Sequence, residues 1–278
     1  MNRKLIEQKF LEMLEEDGWD ITSSFVPNKP VHARIITKEP CIISGIKELR
    51  VLFDMLNIDV MNSAKDGQEL KEREILFELA GKAQDILTAE RIALNVISRM
   101  SGITTITRKY VDKVKAVNPG VRVAATRKTV PLMRYFDKKA AFIGGGDTHR
   151  LGLNDCVMLK DNHLTIFKSL EDAIKAAKDY TSFAHKIEVE VQTADDAITA
   201  AEHADIVMLD NMTPGMVGET VEKLKQANLR NQVLVEVSGN ITFDNIGDYA
   251  VHDIDVISSG SITNNVKCID FSLKFTSI

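Results

Sequence analysis

Five cations cluster in the middle of the chain: Arg127 with Lys128, His149 with Arg150, and Lys160. A guanidinium grips a carboxylate or phosphate through two parallel hydrogen bonds, whereas a lysine acts as a point charge. Brought together, such a set suits a small molecule with several negative groups, such as a dicarboxylate or a phosphorylated sugar. Two acids follow, Glu190 and Asp210. Paired carboxylates beside a phosphate site commonly hold Mg2+, which keeps waters and bridges to substrate oxygens. General-base work, or ion pairing to the cations, remains open on spacing alone. Glu188 lies two residues before Glu190 and is expected to share its face, deeper in the fold. Gly144-Gly145-Gly146, Ser238-Gly239 and Ser259-Gly260 offer bare backbone N–H groups of the kind that cradle phosphate.

These residues need a scaffold, and the chain after Gly120 repeats one. Short apolar strands end abruptly in polar residues or glycine. They are expected at 121–125 before Thr126-Arg127-Lys128, at 140–143 before the glycine triplet, at 156–159 before Lys160, and at 186–191. The series continues at 206–209 before Asp210, at 233–237 before Ser238-Gly239-Asn240, and at 256–257 before Ser258-Ser259-Gly260. Most are followed by a helical stretch, and seven such units predict a parallel sheet, closed or nearly closed as a barrel. Catalytic groups of such barrels collect at the C-terminal strand ends, where these residues fall.

The first third reads as mixed α and β. Leu5, Ile6, Phe10, Met13 and Leu14 predict a helix over 3–16. Strands are expected at 31–37, 41–44, 74–80 and 82–87, with a helix at 46–56. Thr88 is read as the N-cap of a helix reaching Ser101-Gly102, and a second helix continues to 117. Asn118-Pro119-Gly120 marks a turn and a domain hinge.

Composition narrows the class. The chain has 278 residues, 44% hydrophobic and 27% charged, which excludes a disordered chain. A net charge of −5 argues against a general nucleic-acid surface. Yet Arg122 to Lys160 holds eight basic residues against three acids, a local positive centre in an acidic protein. Lys138 and Lys139 are the exceptions, expected on a solvated helix face. No apolar run approaches the ~20 residues needed to span a bilayer. Three distant cysteines without a Cys-x-x-Cys fit a cytoplasmic protein without a disulfide scaffold or zinc.

Taken in order, the segments form a pattern. They are Ala89-Glu90-Arg91 to Asn95 with Ser101-Gly102, Thr126-Arg127-Lys128-Thr129, Gly144-Gly145-Gly146 with His149-Arg150, and Lys160-Asp161-Asn162-His163. Glu188-Val189-Glu190, Leu209-Asp210-Asn211, Val237 to Asn240, Ser259-Gly260 and Asp66-Gly67 complete the set. The chain so read resembles the quinolinate phosphoribosyltransferase family over nearly its whole length. The resemblance implies an α/β protein with an N-terminal α/β sandwich over 1–108. An incomplete, open α/β barrel of parallel strands follows over 109–278, with residues 266–278 free to pack back on the first domain. It implies transfer from phosphoribosyl pyrophosphate to quinolinate with decarboxylation, giving nicotinate mononucleotide, pyrophosphate and CO2. Arg127, His149, Arg150 and Lys160 would hold the quinolinate carboxylates, joined by Arg91 across a homodimer interface. Thr126, Lys128, Glu190, Asp210, Ser238, Gly239, Asn240, Ser259 and Gly260 would surround the phosphoribosyl group. Glu190 and Asp210 would take Mg2+, and Arg91, Lys128, Lys160, Glu190 and Asp210 would form the catalytic set. Ala125, Thr148, Asn154 and Asn264 depart from the family pattern. Two other readings stay open: a same-fold homologue of the molybdenum-transport-associated type with another anionic acceptor, and a non-catalytic nucleotide sensor. Lys160 to His163 favours the first reading over the homologue, and Glu190 with Asp210 favours it over the sensor.

Overall fold

The structure is a computed structural model that describes residues 2–276. It divides into two compact units: Met1–Ile106 with Tyr135–Gly144 and Val266–Ile278, and Thr107–Arg134 with Gly145–Asn265. In chain order, α1 (Arg3–Asp17), α2 (Ile21–Phe25), β1 (Pro30–Thr37), β2 (Cys41–Ile42) and α3 (Ile46–Met55) come first. β3 (Asp59–Ser63), β4 (Glu69–Leu70), β5 (Ile75–Lys82), α4 (Ala83–Val117), β6 (Arg122–Ala125) and α5 (Arg134–Ile143) follow. Then come β7 (Val157–Leu159), α6 (Asp161–Leu164), α7 (Leu170–Tyr180), β8 (Ile187–Val191), α8 (Ala194–Ala201) and β9 (Ile206–Asp210). The chain closes with α9 (Pro214–Gln226), β10 (Leu234–Ser238), α10 (Ile246–Ala250), β11 (Val256–Ser259), α11 (Ser261–Asn264) and β12 (Phe271–Thr276).

The first unit is built on an antiparallel sheet in the order β12-β1-β5-β3. Ala33, Ile35 and Thr37 of β1 are buried while Arg34 between them is exposed, the alternation of a half-solvated sheet. Ile35 pairs with Phe77 of β5, whose ring meets Phe53 of α3 edge-on at 5.2 Å. Such a pair contributes about 1 kcal/mol beyond its buried area. Asp66 starts α3, its Oδ1 accepting from the backbone N–H groups of Gly45 and Ile46 at 2.8 and 2.9 Å.

Five expectations fail here. The strand expected at 82–87 is the start of α4, and Thr88 caps nothing: its hydroxyl donates to the Gln84 carbonyl one turn back. The two helices expected on either side of Gly102 are one. Glycine is needed there because a Cβ would strike the Lys267 carbonyl and stand 3.0 Å from a Val266 methyl. The strand expected at 140–143 is the last turn of α5, with Phe136, Ala140 and Ala141 fully buried. Nor are its lysines a solvated face. Lys138 is 1% exposed, and Lys139 is paired with the buried Glu48. Asp137 is gripped by both Nε and Nη2 of Arg99, at 2.7 Å each.

The second unit carries the parallel sheet, ordered β6-β11-β10-β9-β8-β7. Its crossover helices have capped starts: Ser169, Thr193 and Thr213 each accept an N-terminal amide of α7, α8 and α9, and Pro214 opens the last. There are six paired strands instead of seven. In place of the missing one, Asp147 makes an isolated parallel bridge to Ala124 of β6. β6 and β7 remain the two open edges, so the barrel is incomplete. Among the described residues, no helix is long and apolar enough to cross a membrane.

Candidate active site

Side chains alternate across a strand, so residues two apart point the same way. In the second unit that rule selects Met158 and Lys160, Glu190, Met208 and Asp210, Glu236 and Ser238, and Ser258 and Gly260. All line one cavity of about 630 Å3 at the C-terminal ends of the strands. The strand register sets its levels: Glu190 is beside Met208, Met208 beside Glu236, and Asp210 beside Ser238. Loops complete the wall with Thr126, Arg127, Lys128, His149, Arg150, Asn211, Gly239 and Asn240.

Most of the expected residues therefore meet. Ser259 is an exception: it occupies the opposite phase of β11, is buried, and donates to the Ile241 carbonyl at 2.6 Å behind the wall. Gly144-Gly145-Gly146 lines no part of the cavity; Gly145, at φ 92°, turns the chain out of α5. Arg91 is exposed on α4 in the first unit, and the cavity is built from residues of the second. His163 closes α6 locally, its Nδ1 accepting from the Lys160 amide at 3.0 Å.

The cations are held at different strengths. Arg127 follows β6 with its Nε buried and without a hydrogen-bond partner. Burial, then the charges of Arg134 and Arg150, pull its guanidinium pKa down, as expected of a cation lacking its anion. Arg150 donates from Nη1 to the Cys156 carbonyl over a long 3.4 Å and from Nη2 to the Met158 sulfur, a weak acceptor, so a carboxylate could displace both. Lys160 is paired with Glu190. Gly260 gives Lys128 passage, since a Cβ there would stand 2.9 Å from its Cδ.

The acids stand opposite. Burial, then the charge of Glu190, raises the pKa of Asp210 above the ordinary carboxylate range. Asn211 donates to Asp210 Oδ2 at 2.5 Å, and Asn240 donates to Asn211 Oδ1 at 3.0 Å. Asn211, Gly239 and Asn240 all have positive φ and line the cavity, and the Asn211 amide ties this turn to the Ser238 carbonyl at 2.9 Å. Glu190 and Asp210 supply only carboxylate oxygens, and the raised pKa of Asp210 marks a place where a hard cation would be welcome. The donor set fits Mg2+.

Glu236 and Asn211 are lining residues that the sequence reading did not single out. An acid inside the apolar run of β10, in the same phase as Ser238, was the available signal for Glu236. His149 lies between it and Glu188: its Nε2 is 3.0 Å from Glu236 Oε2 and 3.6 Å from Glu188 Oε2. Burial alone would depress the pKa of this ring, but the two carboxylates reverse that and raise it to about 10. Against this stands the Arg150 amide, which donates to Nδ1 at 2.8 Å and would meet a second ring proton head-on. The amide contact requires an Nδ1 lone pair and so holds the ring as the tautomer with its single hydrogen on Nε2. Glu188 is fully buried with neither oxygen hydrogen-bonded, and burial raises its pKa.

Comparison with known proteins agrees with this architecture. Residues 20–101 match the quinolinate phosphoribosyl transferase N-terminal domain and 103–274 match its C-terminal domain. A protein of Archaeoglobus fulgidus named a probable nicotinate-nucleotide pyrophosphorylase (carboxylating) is 49% identical over 92% of this chain and 97% of its own. The nicotinate-nucleotide pyrophosphorylase (carboxylating) of Rattus norvegicus is 36% identical, covering 94% of this chain and 88% of its own. The solved nicotinate-nucleotide pyrophosphorylase of Francisella tularensis superposes with a TM-score of 0.90 at 34% identity, covering 99% of this chain and 98% of that one.

Proposed function

The chain belongs to the quinolinate phosphoribosyl transferase family, and from that premise we propose that its cavity joins quinolinate to phosphoribosyl pyrophosphate with decarboxylation. The products are nicotinate mononucleotide, pyrophosphate and CO2. One observation carries the reading. Arg127 and Lys128 after β6 and Lys160 after β7 face the same cavity as Glu190 and Asp210 on the strands between.

The chemistry follows from the charges. Arg127 and Arg150 offer two forks for the two carboxylates of the acid, with Lys160 as a third cation; bidentate pairs fix a planar ring as well as bind it. Lys128 meets the charge that grows on pyrophosphate as the ribosyl carbon becomes cationic. Glu190 and Asp210 would hold Mg2+, which when bound adds positive charge for the leaving group. Once the pyridine nitrogen is alkylated, the ring is an electron sink for the neighbouring C–CO2 bond. When CO2 leaves, the electron pair of that bond stays on the ring carbon, which takes up a proton from solvent to give the nicotinate ring; the protein's part is to hold the carboxylate in place. Ser238, Gly239 and Asn240 offer amides and hydroxyl to the phosphate.

A homodimer in which Arg91 of the partner subunit completes the site is part of the same proposal, supported by the exposure of Arg91 on α4. Mixing Arg91→Ala and Arg127→Ala enzymes is expected to restore activity that neither has alone; no recovery excludes a shared site. The cysteines, all free, support a cytoplasmic setting. The deciding experiment is release of 14CO2 from carboxyl-labelled quinolinate with phosphoribosyl pyrophosphate and Mg2+. Absence of quinolinate-dependent release overturns the function.

A further inference from the structure

Glu236 has no part in the reaction as described, yet it is 2% exposed on the inward face of β10 at the cavity floor. Its Oε2 lies 3.0 Å from His149 Nε2. The other side of the ring is also taken, because the Arg150 N–H donates to Nδ1 at 2.8 Å. That amide needs the Nδ1 lone pair, so the ring hydrogen sits on Nε2 and points at the carboxylates. His149 itself is at φ 49°, a conformation a non-glycine residue keeps only when its surroundings hold it; its own N–H donates to Asp147 Oδ1 at 2.7 Å. Both ring nitrogens are therefore committed within the protein.

Resting on the reading of the cavity as a quinolinate site, we propose that Glu236 is a positioning residue. It anchors the Nε2–H of His149, and His149 in turn fixes the main chain of Arg150 and aims its guanidinium at the substrate. Glu188 Oε2, 3.6 Å from the same nitrogen and not hydrogen-bonded to it, adds a second carboxylate beside Nε2. His149 then serves the acid substrate through Arg150 rather than by touching a carboxylate.

The same three side chains have ligand atoms within 4.8 Å of one another, a spacing that would suit a divalent cation. A metal would take the Nε2 lone pair and move the ring hydrogen to Nδ1, where it would oppose the Arg150 amide. The tautomer separates the two occupations of this corner.

The test reads the tautomer and the kinetics separately. In the full chain labelled with 15N-histidine, a spectrum of His149→Gln identifies the His149 signal among the six histidines. Wild-type His149 is expected to carry hydrogen on Nε2 and a bare Nδ1. Glu236→Leu is expected to raise KM for quinolinate about tenfold, with KM for phosphoribosyl pyrophosphate changed less than about twofold. Glu236→Gln still accepts the Nε2–H and restores most of that loss. Hydrogen on Nδ1 in the wild type, tight Zn2+ or Mn2+ retention lost in His149→Gln, or unchanged quinolinate KM in Glu236→Leu overturns the proposal. If the leucine variant does not fold, Glu236→Gln decides: a KM raised as far as tenfold overturns it, because charge and not the hydrogen bond would then matter. A wild-type enzyme that releases no CO2 from quinolinate defeats the functional reading, while the tautomer measurement still stands by itself.

Discussion

Arg127 and Asp210 show how burial and neighbouring charge tune single residues. Arg127 has a buried Nε with nothing to bond, which an acid substrate would satisfy. Arg127→Ala is expected to cost about 2–5 kcal/mol in kcat/KM for quinolinate, the range for truncating one member of a desolvated charge pair. Arg127→Lys recovers little of it, since a point charge cannot replace a fork; near wild-type kcat/KM in either variant removes Arg127 from the site. Asp210 carries a pKa raised first by burial and then by Glu190. The folded state thus disfavours its charge, and the protein is less stable at neutral pH than it would be with a neutral group there. Asp210→Asn is expected to abolish turnover yet raise Tm at pH 7. That gain fades as the pH falls from the raised folded-state value toward the ordinary Asp value of about 3.9, and is gone below it, where both states are protonated. A lower Tm at pH 7 would contradict the sign. Sequence reasoning found these residues because chemistry is written in residue type. It missed Glu236 because an acid within a strand announces burial only once its neighbours are known.

Strand phase is what turns residues into a site. Met158, Glu190, Met208, Glu236 and Ser258 share one strand phase and line the cavity, and Ser259, one residue out of phase, is turned away to tie the Ile241 carbonyl. The turn after β10 depends on Gly239, at φ 91°, where a Cβ would lie 2.6 Å from the Asn211 amide nitrogen. Gly239→Ala is expected to cost about 1–3 kcal/mol of stability. It should also raise KM for phosphoribosyl pyrophosphate more than for quinolinate; equal changes in both would show a general loss of packing. The element most misread was α5. Its run Ala140 to Ile143 is four apolar residues before glycines, and a run that short has no period to separate strand from helix. Lys139 looks solvated in the sequence because its partner, Glu48, lies about ninety residues away.

At the scale of the whole molecule, charge and chain path matter. A net −5 protein with a cationic cavity attracts two anionic substrates against its own field. Raising ionic strength from about 0.01 to 1 M shortens the screening length from ~30 to ~3 Å, so kcat/KM for quinolinate is expected to fall steeply with salt while kcat changes little. Salt-independent kcat/KM would mean that the exposed field plays no part in capture. The path is discontinuous: β12 returns at the C-terminus to pair with β1, and α5 joins the first unit from the middle of the chain. Non-local pairings of this kind leave no trace in local periodicity.

Residue types, their order and the recurrence of strand followed by polar turn were enough to specify the α/β class, the parallel sheet and most of the cations and acids around the cavity. These are local properties, written wherever an apolar run meets a charged end. Which strand end faces which, whether seven candidates make six strands, and where a buried acid finds its histidine depend on contacts between residues far apart in sequence. Tertiary structure alone decided those, because only packing brings Glu188, Glu236 and His149 together and sends Ser259 to the other face.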